Sequence, residues 1–112
     1  MNRNKLISKV VGNLSNAVIH KVLEKAIDDQ EIASKYEKEL TTSLEIARRY
    51  REKINPADVP LPDRDKEYIR KKVVQKVTME LVKRVRKGYQ NIDIGQVQGL
   101  VDTELRKMKI LN

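Results

Sequence analysis

The sequence predicts an all-α protein, a bundle of three or four helices arranged as two helical hairpins joined by a proline-rich linker. Three observations predict it. Apolar residues recur at the 3.6-residue helical period in successive stretches, and strict alternation fits only fragments such as Arg84-Val85-Arg86. All three prolines fall between Pro56 and Pro62, so long helices are free to form on either side. The chain has four tyrosines, no Trp and no Phe, so its core must be aliphatic. At 112 residues it has the length of a single domain with a single core.

The first helix is expected over about 4–27. Ile7, Val10, Val11, Leu14, Ala17, Val18, Lys21, Val22, Leu23 and Ala26 keep its period, and Asn4 is an available N-cap. Gly12 is a weak point inside it, costing about 1 kcal/mol relative to Ala. The second helix is expected over about 31–54, with Ile32, Ala33, Tyr36, Leu40, Leu44, Ala47, Tyr50 and Ile54 on one face. Two readings compete at the boundary. Asp28 and Glu31 have the Asp-x-x-Glu spacing of a capping box, which starts a new helix. Against that, no Gly or Pro occurs from Asn13 to Ile54 and the apolar phase runs through. One continuous rod of about fifty residues would need a partner along its length, hence an obligate dimer.

The linker spans 55–62. Its prolines exclude a helix and favour an extended Pro60-Leu61-Pro62, with Val59 and Leu61 expected to pin it to the core. A third helix follows over about 63–87. Asp63 and Asp65 place negative charge at its start, basic residues crowd its end, and Gly88 is suited to C′. Turned at about 100° per residue, Arg70, Val74, Val77, Thr78, Leu81, Val82 and Val85 fall on one broad arc. Val73 lies beyond that arc, and Ile69 falls beside the lysines of the opposite side. A last helix is expected over about 93–108, with an Asp93/Gln96 capping box and an apolar stripe of Ile94, Val97, Val101, Leu105 and Met108. Ile110 and Leu111 form a tail.

Catalysis is not expected. There is one histidine, His20, and no cysteine, which excludes disulfides, a Cys–His pair and a Cys/His zinc cluster. A metal reading survives only as two copies of His20 paired in a symmetric dimer. The four glycines match neither a phosphate loop nor a dinucleotide fingerprint. Asp63 and Asp65 resemble a calcium loop only in spacing, since the required Gly and distal Glu are absent. No metal, cofactor or catalytic residue is expected. No apolar run approaches the ~18 residues of a membrane span, and Leu6-Ile7 is too short for a signal-peptide core, so a soluble cytoplasmic protein is the expectation.

Charge supplies the functional signal. Lys66 to Tyr89 holds nine basic residues against Glu67 and Glu80, a net of +7 in a chain of net +8. Lys72, Lys76, Lys83 and Lys87 line up along about 22 Å, with Tyr68 and Arg86 at the border. These six form a candidate nucleic-acid surface, the cations for phosphates and Tyr68 for stacking. A solvated helix face is the competing account. A narrower version makes the last two helices a helix-turn-helix whose Gln96, Thr103 and Arg106 read DNA, although Asp102 and Glu104 oppose approach to phosphates. A second class of function is an interaction module. There, Met79, Tyr68 and Ile69 would meet an acidic protein, or the chain would form a homo-oligomer.

Overall fold

The computed structural model describes residues 1–56 and 58–111; Ala57, inside the expected linker, and Asn112 lie outside the described residues. Among the described residues the fold comprises four α-helices and one 3-10 turn, with no strand. It is an all-α bundle of two helical hairpins.

Helix α1, Arg3–Ala26, is the central element, and all three other helices pack on it. Its N-cap is Asn2 rather than Asn4, and the Asn2 side chain accepts from the Lys5 amide at 2.9 Å. Because α1 has partners on three sides, Leu6, Ser15 and Ile19 are buried in addition to the expected stripe.

The chain then breaks, which excludes the rod. Asp29, one residue later than the expected Asp28, caps α2 (Gln30–Ile54), accepting from the amides of Glu31 and Ile32 at 2.9 and 3.2 Å. Helix α2 returns antiparallel to α1 and packs on no other helix. Only Ala47 and Arg51 of α2 are fully buried; Tyr36, Leu44, Tyr50 and Ile54 are half-buried against the core, and Ile32 is exposed.

In the non-helical segment that follows, Leu61 enters the core but Val59 stays exposed, contrary to expectation. The Val59 amide instead closes a turn onto the Pro56 carbonyl at 2.9 Å. Helix α3, Asp63–Arg86, runs parallel to α1, with Arg3 paired to Asp65 at their N-termini. Gly88, at φ +97°, ends it in a Schellman motif: the Tyr89 amide donates to Arg84 and the Gly88 amide to Val85.

The rotation of α3 differs from the expected one by about a quarter turn. Its buried stripe is Ile69, Val73, Val77 and Leu81, whereas Val82 is half-buried and Val85 is 43% exposed. Val77 and Leu81 are buried as expected, but α3 packs on α1 and α4, not on α2. The reason lies in the length of α4 (Val97–Lys107). Eleven residues cover about 16 Å, against about 36 Å for α3. Covered on two sides, the first part of α3 buries Ile69 and Val73. Val82 and Val85 fall outside this stripe, half-buried and exposed respectively.

Asp93 caps a 3-10 turn, Ile94–Gln96, by accepting from the Gly95 amide at 3.0 Å, so the last α-helix starts later than expected. Helix α4 runs back along α3 and buries Val97, Val101, Leu105 and Met108. Lys109 adopts a left-handed conformation (φ +58°), and the Ile110 amide donates to Leu105 at 2.8 Å, a second Schellman closure that seats Ile110 in the core.

Candidate nucleic-acid interface

The acidic side chains of the α3–α4 half are largely engaged inside the fold. Asp65 pairs with Arg3, and Asp102 accepts from Arg70 at 2.7 and 3.2 Å. Buried Glu104 holds Lys21 at 3.3 Å and Lys107 at 3.5 Å, and Glu80 holds Arg84 at 3.1 Å. Each hydrogen bond favours the cation, so Asp102 raises the Arg70 pKa and Glu80 raises that of Arg84, against partial desolvation. These pairs lace α1 to α3, α3 to α4 and α1 to α4.

What is left over is basic. Lys72, Lys76, Lys83, Arg86 and Lys87 enter no ion pair among the described residues. Lys76, Lys83, Arg86 and Lys87 are exposed. Lys72 is half-buried, its ammonium 5.9 Å from the centre of the Tyr68 ring, and Tyr68 itself is 48% exposed. All six expected residues thus lie along one side of α3. They do not lie opposite its core stripe, as the expected rotation placed them. Lys76 and Lys83 line an open groove of about 450 Å³ between α3 and α1, facing Gly12, Ser15, Asn16 and His20. Met79, 60% exposed, stands between the two lysines.

The parallel packing of α1 and α3 adds residues that the sequence reading passed over. Lys5 and Lys9 are exposed on α1, about two turns and one turn before Gly12 on the same helix face. Tyr89, beyond the end of α3, sits with its ring centre 5.4 Å from the Arg84 guanidinium.

Other expected sites resolve differently. His20 sits within its own hairpin, stacked on Tyr36 at 5.4 Å with Nε2 3.2 Å from Glu39. Among the described residues no cluster of three His, Asp or Glu side chains is placed to hold a metal. Asp63 meets Lys66 at 3.8 Å, the plain arrangement of a helix start. On α4, Thr103 and Arg106 are exposed and Gln96 is half-buried, while the acids that opposed DNA approach, Asp102 and Glu104, are turned to Arg70 and Lys21. No helix among the described residues is long and apolar enough to cross a membrane.

The chain matches no known protein-family model, no curated protein and no solved structure.

Proposed function

We propose that this is a non-enzymatic nucleic-acid-binding protein that grips the phosphate backbone through the basic side of α3. One observation carries the reading: of the neighbouring acids Asp65, Glu80, Asp102 and Glu104 are engaged in ion pairs within the fold and Glu67 is not, while Lys72, Lys76, Lys83, Arg86 and Lys87 enter no ion pair among the described residues. A solvated helix face ordinarily mixes both signs, as α2 does with Glu37, Lys38 and Glu39. An unneutralised row of this kind attracts a polyanion, and binding releases its condensed counterions. The reading places the protein in the cytoplasm. It also includes self-association, with the apolar edge of α2 from Ile32 to Leu44 covered by a second copy.

The test is the salt dependence of binding. Four phosphate contacts from Lys72, Lys76, Lys83 and Lys87 give a log–log slope of about −3.6 on duplex DNA. Replacing Lys76 and Lys83 with Gln reduces that slope by about 2, and the fold is kept because both side chains are exposed and unpaired. Equal binding by variant and parent removes this face. Failure of the parent to bind DNA or RNA at low salt overturns the reading and favours an acidic protein partner on the same lysines.

A further inference from the structure

We propose that the ligand of this face is single-stranded nucleic acid, with phosphates along the lysine row and bases stacked on Tyr68 and Tyr89. This rests on the backbone-binding reading and narrows it. The four tyrosines divide sharply. Tyr36 and Tyr50 pack against the core, whereas Tyr68 and Tyr89 are 48% and 38% exposed. The exposed pair brackets the lysine row, one at each end of α3. Each has a cation beside its ring, the unpaired Lys72 at 5.9 Å and, at 5.4 Å, Arg84, which Glu80 already holds. An aromatic face next to a phosphate-binding cation is the arrangement that single strands use, because their bases are free to leave one another and stack on protein. A duplex keeps its base faces covered and would leave both rings unused.

The groove between the tyrosines supports the same ligand. Its wall carries Gly12, in the middle of a helix where Gly is disfavoured by about 1 kcal/mol against Ala. Packing does not require that glycine: a Cβ built there meets nothing within 4 Å. The missing side chain leaves the groove open beside Lys76, Lys83 and the exposed thioether of Met79. A concave, partly apolar recess flanked by lysines, with Glu80 neutralised by Arg84 on the same wall, accepts an unpaired base. The convex backbone of a duplex would bridge across it. Tyr68 and the Arg84 guanidinium on which the Tyr89 ring rests are about 24 Å apart along the helix axis, a span of several nucleotides of extended strand.

The experiment compares labelled oligothymidylate, oligouridylate and a hairpin duplex, by fluorescence anisotropy on the full chain, for the parent and for Tyr68→Leu/Tyr89→Leu. Leu keeps apolar bulk at two exposed positions, and an unchanged circular-dichroism spectrum verifies the fold. The parent is expected to bind at least one single strand more tightly than the duplex. The double variant is expected to lose about 5- to 150-fold of that affinity for each base unstacked, with duplex binding and its salt slope unchanged. The chain has no tryptophan, so intrinsic emission comes from tyrosine and is expected to be quenched by the single strand alone. Equal affinity for duplex and single strands, with no effect of the tyrosine changes, overturns this inference and leaves backbone binding standing. Absence of binding to all three probes overturns both.

Discussion

Replacing Arg51 is expected to cost the protein a large part of its stability. Arg51 is fully buried near the end of α2, yet no carboxylate accepts from it among the described residues. Its guanidinium donates to the Asn55 carbonyl (3.2 Å) and side-chain oxygen (2.5 Å), to the Val59 carbonyl (3.0 Å) and to the Lys109 carbonyl (3.3 Å). One side chain thereby ties the end of α2, the inter-hairpin segment and the C-terminal tail together. Two effects oppose each other. Hydrogen bonds from a charged donor contribute about 1.5–3 kcal/mol each. Burial of the cation works against them, and it lowers the Arg51 pKa, with Glu52 acting in the other direction. Truncation to Ala removes the bonds and the charge together, strands buried acceptors and opens a cavity. The three acceptor segments lie near the surface, so water recovers part of the loss. The net expected cost is about 3–5 kcal/mol, a large share of the 5–15 kcal/mol typical of a domain. Arg51→Lys is expected to cost nearly as much, since one ammonium cannot reach three separated carbonyls as the planar fork does. Urea denaturation reads both changes, through a lowered midpoint at constant slope. Hydrogen exchange at the Ile110 amide, which the tail closure protects, is expected to rise more than exchange within α1. The sign of the pH dependence is also determined. A cation whose pKa is lowered on folding gains stability only as pH rises through the arginine range, so between about pH 5 and 9 Arg51 makes stability neither rise nor fall. A loss below about 1 kcal/mol for Arg51→Ala would refute the clasp.

The rotation of α3 is tested by a pair of substitutions. Ile69→Ala is expected to cost about 2–5 kcal/mol and Val85→Ala no more than about 0.5 kcal/mol; the rotation read from the sequence puts them in the reverse order, and urea titration of the two separates the cases. Lys109→Gly is expected to stabilise the protein by about 1 kcal/mol, because a non-glycine residue at φ +58° carries a left-handed penalty that glycine does not. A higher melting temperature with an unchanged unfolding slope is the outcome that supports it.

The helices could be read from the sequence because their cause is local. Apolar period, the acids at Asp63 and Asp65 and the Gly88 C′ position each act within a few residues, and each has its counterpart in the structure. The rotation of α3 could not be read, because it depends on how far α4 extends beside it, a property of another part of the chain. Val82 and Val85 widened the apparent arc but lie outside the buried stripe. The candidate site divides along the same line. The lysines and Tyr68 are visible as a row, but their place on the rim of the α1–α3 groove, with Lys5 and Lys9 nearby, follows only from parallel packing of helices distant in sequence.

A local signal did exist for one part of what was missed. Arg51 lies four residues after Ala47 and three before Ile54, at a position where the apolar stripe of α2 calls for a hydrophobic residue. Asp65 stands four before Ile69 in the same way, and Glu104 lies between Val101 and Leu105. All three are buried, and all three join elements far apart in the chain: Arg51 reaches Lys109, Asp65 reaches Arg3, and Glu104 reaches Lys21. A long or ionised side chain costs several kcal/mol to desolvate, so at a core position it persists only where other elements supply its partners. Charge that interrupts an apolar stripe therefore marks where distant segments meet. The lysine row of α3, outside the stripes, enters no such pairing among the described residues.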